Sequence, residues 1–210
     1  ILGLYLPARG RVCLDGADLH NWDRTQLGQY IGYLPQDVEL LDGTVAENIA
    51  RFGSIEADRV VEAARWAGIH EMILTLPQAY DTPLIGRGVA LSAGQQQRLG
   101  IARAIYGRPR VVVLDEPNAN LDMAGEAALM TTLRLLQRDG CTVVVVTHRT
   151  NVLQAVQKIA LIVQGKLARY GSREEILAAM AQPPSAVSPP RPTTGARLEH
   201  AMPVVPEQTS

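Results

Sequence analysis

The stretch VVVLDEP, residues 111–117, indicates the fold class of this chain. Its apolar residues follow one another without alternation, a pattern typical of a strand buried on both faces of a parallel sheet. A second run of this kind, TVVVVT at 142–147, comes after a helical pattern over 124–139 that ends at Gly140. A strand, a helix and a strand in this order predict a right-handed βαβ unit. We therefore expect an α/β fold with a parallel sheet.

Three polar residues stand at the carboxyl ends of these two predicted strands. Asp115 and Glu116 end the first run, and His148 comes directly after the second. Because ligands of open α/β sheets bind at this edge, we expect the three side chains to lie close together. One carboxylate suits a hydrated Mg²⁺, a second can deprotonate a water molecule, and an imidazole can contact a phosphoryl oxygen. The alternative is that Asp-Glu-Pro only ends a strand and that His148 caps a helix.

The stretch LSAGQQQRLGIARAI, residues 91–105, places small residues and three glutamines at the start of an apolar helix. These residues alone leave two interpretations open. Ser92 is a good helix N-cap, so the pattern can be ordinary capping. Alternatively, a residue such as Gly94 lets a ligand approach the backbone, where the first N–H groups of a helix have no internal partner and attract anions.

Composition narrows the class of protein. The 210 residues carry a formal net charge of −1, which argues against a nucleic-acid partner, because such proteins need a basic surface. Cys13 and Cys141 stand far apart in apolar runs, which predicts two buried, reduced thiols. Seven of the thirteen prolines lie in 183–206, so we expect a domain over 1–181 and a Pro-rich disordered tail over 182–210.

Five motifs in a fixed order give the chain a clear family resemblance. They are YLPQD with Gln36, LSAGQQQR, VVVLDEP, NANLD at 118–122, and THR with His148. Together they resemble the Q-loop, signature, Walker B strand, D-loop and switch histidine of the nucleotide-binding domain of ABC transporters. The resemblance covers residues 1 to about 180. It implies a P-loop NTPase-like ABC ATPase fold, with a parallel-sheet core, a helical signature subdomain over about 44–107 and a small antiparallel β region.

The resemblance assigns roles in ATP hydrolysis to four residues. It implies that Asp115 holds Mg²⁺ through water and that Glu116 is the general base for the attacking water. Gln36 would touch Mg²⁺ or that water and report to the membrane domain. His148 would contact the γ-phosphate of ATP.

The resemblance also implies a homodimer with shared ATP sites. Ser92, Gly94 and Gln95 would grip the γ-phosphate of the ATP bound to the opposite subunit, and Asp122 would help to organise the dimer interface. Two positions depart from the family pattern. Ala93 replaces a glycine of the signature, and Ala119 replaces the D-loop serine, which removes a hydroxyl from that interface.

A longer stretch narrows the resemblance further. LPQDVELLDGTVAENIARFG, residues 34–53, resembles exporters whose ATPase is fused behind membrane helices, and most of all the ATPases of type I protein secretion in Gram-negative bacteria. The implied partners are a fused upstream membrane domain, a periplasmic adaptor, an outer-membrane channel and an exported protein. The implied location is the cytoplasmic face of the inner membrane.

Three alternatives to a type I secretion ATPase stay open. A fused ABC exporter of lipid, drug or peptide is the first. A soluble ABC ATPase that acts on chromosomes or ribosomes is the second, and the low net charge argues against it. A non-catalytic, partner-binding module is the third, and the presence of both Glu116 and His148 argues against it.

The phosphate-binding P-loop pattern, G-x4-G-K-[ST], does not occur in these residues. Of the two lysines only Lys166 follows a glycine, and Leu167 comes after it. The first residues, ILGLYLPARG, resemble the tail of a helix that Gly3 and Pro7 end. In the family the P-loop lies just ahead of such a helix, so we expect it a few residues before Ile1.

The coding DNA upstream of Ile1 tests this expectation. We predict that it encodes the P-loop pattern, preceded by about six apolar spans of roughly 20 residues each. Residues 1–210 alone should bind ATP weakly and not hydrolyse it, because they lack the P-loop lysine and backbone amides. A start codon at this edge without a P-loop, or ATP turnover by purified 1–210, would contradict the prediction.

Overall fold

The computed structural model describes residues 2, 3, 5–84 and 88–181. The predicted tail over 182–210 lies outside these residues. Besides short 3-10 turns, the described residues form nine strands and seven α-helices, in the order β1 (Cys13–Leu14), β2 (Ala17–Asp18), α1 (Arg24–Tyr30), β3 (Ile31–Leu34), β4 (Gly43–Thr44), α2 (Val45–Ile49), α3 (Ala57–Trp66), α4 (His70–Leu74), β5 (Pro83–Leu84), α5 (Ala93–Ile105), β6 (Val111–Asp115), α6 (Met123–Arg138), β7 (Thr142–Val146), β8 (Lys158–Val163), β9 (Lys166–Ser172) and α7 (Arg173–Ala181).

A parallel sheet forms the centre of the described part, with the strand order β3-β6-β7. Strand β6 precedes helix α6 in the chain and β7 follows it, and the two strands pair in parallel, so the predicted βαβ unit is confirmed. The three central residues of β6 are buried, as its continuous apolar run predicts. Strand β7 is only half-buried, because among the described residues it pairs with β6 alone and so lies at an edge of the sheet.

Two antiparallel hairpins lie outside this sheet. Strands β1 and β2 turn at Asp15–Gly16, and β8 and β9 turn at Gln164–Gly165. All four turn residues have positive φ angles, between 49° and 82°, as the tight type I′ turn of a hairpin requires. Antiparallel strands beside a parallel sheet agree with the fold that the family resemblance implies.

Helix α5 lies directly against strand β3, and two glycines permit this approach. A Cβ atom on Gly32 would lie 1.8 Å from the carbonyl oxygen of Ala104, which is closer than any real contact. A Cβ atom on Gly100 would lie 2.8 Å from side-chain carbons of Leu34 and Val38. The resulting core contains Leu34, Leu99 and Leu114, all with no exposed surface. Packing this close leaves no room to shift the helix along the strand.

The guanidinium group of Arg51 joins three elements through five hydrogen bonds to backbone oxygens. It donates to the oxygens of Arg103, Ala104 and Tyr106 at the end of α5. It also donates to the oxygens of Gly28 in α1 and Ile31 in β3. The last carbonyls of a helix have no internal partner, so a cation that donates to them is favourable. Burial lowers the pKa of Arg51, and the five acceptors compensate for the lost water.

A second network fixes the segment between β3 and α2. The fully buried side-chain amide of Asn48 donates to the oxygens of Leu41 and Thr44 and accepts the N–H of Leu41. Arg103 donates to Asn48 Oδ1 at 2.7 Å and to the oxygen of Glu39 at 2.8 Å. Every polar atom of the Asn48 side chain is therefore satisfied, as a buried amide requires.

A further sequence prediction, the burial of both cysteines, is wrong. Cys13 is exposed, because β1 is a two-residue strand outside the core, and Cys141 is half-buried; both thiols are free. Partial burial raises the pKa of Cys141 to about 11. The predicted helix tail ahead of Gly3 lies partly outside the described residues; Gly3 has a φ of +66°, and residues 5–12 contain no helix. Among the described residues, no helix is long and apolar enough to cross a membrane.

Replacing Arg51 should destabilise the domain strongly. We predict that Arg51→Met lowers the free energy of unfolding by roughly 2–4 kcal/mol, because backbone acceptors lose their donor while the side-chain volume stays similar. Urea unfolding of the purified protein measures this change. The matched control is Arg59→Met, which removes an exposed ion pair with Glu56 and should cost at most about 1 kcal/mol. Equal effects of the two substitutions would contradict the prediction.

Candidate functional site

The parallel sheet brings the predicted catalytic residues to one edge. Asp115 ends β6 and pairs with Val146 at the end of β7. The N–H of Glu116 donates to the oxygen of Val146 at 2.9 Å, which continues the strand pairing by one residue. Glu116 and His148 therefore follow neighbouring strands at the same edge, where the sequence predicts them.

The Glu116 carboxylate is held by the residues after β7. The Nδ1 atom of His148 lies 2.7 Å from Glu116 Oε1, and the backbone N–H of His148 donates to the same oxygen at 3.1 Å. The hydroxyl of Thr147 donates to Oε2 at 3.4 Å. The Glu116 side chain is 15% exposed and that of His148 is 78% exposed. The carboxylate is thus shielded and oriented, while much of the imidazole surface remains open to solvent.

Glu116 itself has an unusual backbone conformation. Its φ angle is +44°, in the left-handed region that a residue with a long side chain rarely adopts. Such a conformation persists only where the surroundings impose it, and such residues cluster at functional sites. The turn after β6 therefore directs the Glu116 side chain towards the end of β7 rather than along the strand.

Gln36 and Asp115 occupy positions that suit a hydrated magnesium ion. Strands β3 and β6 pair with Leu34 opposite Leu114, and Gln36 follows Leu34 by two residues, as Glu116 follows Leu114. Gln36 is exposed and Asp115 is half-buried. Within the described part of the chain, Asp115 has no side-chain hydrogen bond, and no three His, Cys, Asp or Glu residues cluster for a metal. This donor set fits Mg²⁺, which takes one or two protein oxygens and completes its shell with waters and phosphates.

The N-terminal end of α5, called the mouth of the helix below, shows ordinary capping, which is one of the two interpretations of its sequence. Ser92 Oγ accepts the Gln95 N–H at 3.3 Å, and Gln95 Oε1 accepts the Ser92 N–H at 2.9 Å, which forms a capping box. Ser92 is exposed. A Cβ atom on Gly94 would lie 2.8 Å from the carbonyl oxygen of Asn120. Gly94 is therefore required for close packing against the D-loop of its own chain.

The sequence interpretation overlooked one residue, Gln97. This side chain is 1% exposed, and its Nε2 atom donates to the oxygens of Glu116 at 3.3 Å and Pro117 at 3.1 Å. The sequence signal was a glutamine on the apolar face of a helix, two residues after Gln95. A buried amide on such a face needs a partner, but the sequence does not show which one.

Asp122 caps helix α6. Its Oδ1 atom accepts the Gly125 N–H at 2.7 Å, which satisfies one of the free donors at the start of this 16-residue helix. The side chain is exposed, so capping and a role at a dimer interface are compatible.

Two substitutions of Asp122 distinguish the effect of its N-cap hydrogen bond from the effect of its charge. We predict that Asp122→Ala lowers the free energy of unfolding by about 1 kcal/mol, whereas Asp122→Asn stays close to the wild type, because Asn caps as well as Asp. Urea unfolding of both variants measures this. If Asp122→Ala leaves stability unchanged, the cap contributes nothing and the prediction fails.

Comparison with known proteins shows the family to which this chain belongs. The family model described as ABC transporter matches residues 1–119. The type I secretion system ATP-binding protein PrsD of Rhizobium meliloti is 45% identical over 184 residues, which cover 87% of this chain and 32% of that protein. The cyclolysin secretion/processing ATP-binding protein CyaB of Bordetella pertussis is 41% identical over 178 residues, or 84% of this chain and 25% of that protein.

A solved structure extends the agreement to the fold. The chain resembles a bacterial Atm1-family ABC exporter with ATP bound, with a TM-score of 0.76 and 32% identity, over 85% of this chain and 31% of that one. The chain thus spans about a third or less of each of these three proteins. The five motifs, the parallel sheet and these matches lead to one conclusion: this chain belongs to the ABC transporter family and has the ABC ATPase fold.

Proposed function

We propose that this chain is the ATP-hydrolysing part of an ABC exporter that drives type I protein secretion. The observation that carries ATP hydrolysis is the Glu116–His148 contact at the carboxyl edge of the sheet, at 2.7 Å. The observation that favours protein export is the similarity to PrsD at 45% identity, higher than the 32% identity to the Atm1-family exporter.

Glu116 is the general base in this proposal. A water molecule attacks the γ-phosphorus of ATP, the bond between that phosphorus and the bridging oxygen breaks, and ADP leaves with the electron pair. The proton of the water passes to the Glu116 carboxylate. Its Oε1 atom already accepts two hydrogen bonds from His148. In the described part of the chain, Oε2 accepts one protein hydrogen bond, from the Thr147 hydroxyl at 3.4 Å, so Oε2 is the better placed oxygen to take the proton.

Asp115 and Gln36 are the residues that would hold Mg²⁺, the ion that neutralises charge on the phosphate oxygens when it is bound. His148 has two tasks in the proposal. It orients Glu116 through Nδ1, and its exposed ring is available to the γ-phosphate.

The shared site of a homodimer completes the proposal. The mouth of α5, with Ser92, Gly94 and Gln95, would contact the γ-phosphate of ATP held by the opposite subunit. The support is the free N–H groups and positive dipole end of a 13-residue helix. The helical subdomain over about 44–107 would carry this contact, and Asp122 would lie at the interface.

The partners follow from the same similarity. We propose a fused membrane domain upstream, a periplasmic adaptor, an outer-membrane channel and an exported protein as substrate, with this domain on the cytoplasmic face of the inner membrane. The second candidate is a fused exporter of lipid, drug or peptide, which the likeness to the Atm1-family exporter favours.

Isosteric substitution of Glu116 tests the ATPase proposal. In the complete protein that contains this chain, Glu116→Gln should lower kcat for ATP by about 10²- to 10⁴-fold, because the amide cannot accept the proton of the water. Steady-state phosphate release measures this rate. The matched control is Glu126→Gln, a nearby carboxylate paired with Arg149, which should retain kcat within about twofold.

The outcomes separate the candidate functions. A wild-type protein without ATPase activity would indicate the non-catalytic module, and an active Glu116→Gln variant would reject Glu116 as the base. Loss of a protein from the culture medium of cells that carry only the Glu116→Gln variant would support protein export. An unchanged set of secreted proteins, with ATPase activity abolished, would instead favour the lipid, drug or peptide exporter.

A further inference from the structure

The side chain of Gln97 connects the signature helix to the backbone of the proposed general base. Its Nε2 atom lies 3.3 Å from the oxygen of Glu116 and 3.1 Å from that of Pro117. The residue is 1% exposed, so water does not compete for these bonds. Gln97 is in the fifth position of α5, two residues after Gln95 of the helix mouth.

The turn that Gln97 contacts has few backbone bonds of its own. The Glu116 N–H donates to Val146, and the Glu116 oxygen accepts the Ala119 N–H at 3.1 Å. Pro117 has no N–H, and Glu116 has a φ angle of +44°. A residue other than glycine keeps this conformation only where neighbouring groups hold it. The Gln97 amide bonds to the carbonyls on both sides of the Glu116–Pro117 bond, which are the groups that rotate if this conformation relaxes.

A second contact holds the same loop against the same helix. Gly94 lies so close to Asn120 that a Cβ atom would be 2.8 Å from the Asn120 oxygen. The loop from Glu116 to Asn120 therefore lies against the first turns of α5 at two points. In contrast, the Glu116 carboxylate is held from the other side, by His148 and Thr147 after β7.

We propose that Gln97 is a positioning residue for Glu116. By fixing the two carbonyls, it keeps the Glu116 backbone in its left-handed conformation and so keeps the carboxylate between the end of β7 and the substrate side of the sheet edge. This inference rests on the proposed ATPase function, since it assigns a role relative to the general base. It adds the link between the signature helix and the general base within one chain.

Substitution of Gln97 in the complete protein tests the proposal. Gln97→Met keeps the volume and removes the donor, and we expect kcat for ATP to fall about 10- to 100-fold, since small misplacement of a catalytic group has effects of this size. KM for ATP should remain within about twofold, because Gln97 touches no group assigned to binding the nucleotide of its own subunit. A structural role alone would lower stability and leave kcat of the folded protein unchanged.

The matched control is the neighbouring glutamine. Gln96 also donates from its amide to a backbone oxygen, that of Leu91 at 3.0 Å, but among the described residues its side chain makes no hydrogen bond to the loop from Glu116 to Asn120. Gln96→Met should therefore keep kcat within about twofold. Thermal unfolding of each variant reports its stability. Gln97→Glu is the second variant, for the case that Gln97→Met does not fold, because it changes only the donating group of the amide.

A double substitution tests whether Gln97 acts through Glu116. If it does, Gln97→Met should not lower the residual single-turnover rate of Glu116→Gln any further, because the group that it positions is already disabled. An equal further loss in both backgrounds would overturn the proposal, and so would a folded Gln97→Met variant with wild-type kcat. An inactive wild type would reject the ATPase function instead, so the two failures are distinguishable.

Discussion

The parallel pairing of β6 with β3 on one side and β7 on the other is the interaction on which the site depends. Hydrogen bonding in register aligns the carboxyl ends of all three strands, so the residues that follow them must meet at one edge. Glu116 and His148 touch for this reason, although 32 residues separate them in sequence. A shift of the register by one residue would turn every side chain of β6 to the opposite face and would break this contact.

Helix α5 depends on charged and amide groups as much as on its apolar face. Its last carbonyls accept bonds from Arg51, and its first turns lie against the loop after β6 through Gly94 and Gln97. Buried polar networks of this kind are favourable only when each member is satisfied. In the described part of the chain Arg51 has five acceptors and the Nε2 group of Gln97 has two, which explains how two polar side chains can replace apolar packing at the two ends of one helix.

Much of the fold and part of the site could be predicted from sequence, because the signals were local. Unbroken apolar runs predicted β6 and β7, and the helical pattern over 124–139 predicted α6. The meeting of Glu116 with His148 followed from one general rule about parallel sheets.

The contacts that could not be predicted are those between residues far apart in the chain. The side chains of Arg51 and Gln97 donate to backbone oxygens of other elements, and the residues next to them in sequence do not indicate which oxygens these are. Exposure was also predicted wrongly where it depends on neighbours in space. The apolar run around Cys13 forms only a two-residue strand outside the core, and β7 is half-buried because it lies at an edge of the described sheet.

The attachment of α5 at both ends has a consequence for the timing of a catalytic cycle. Arg51 holds one end of α5 and the loop of Glu116 lies against the other, so a group that binds at the mouth of the helix would act on the general base through Gln97, without a shift of the helix along the sheet. In a dimer with shared sites, the mouth senses the nucleotide of the opposite subunit. Hydrolysis in each subunit would then depend on whether the neighbour's site is occupied.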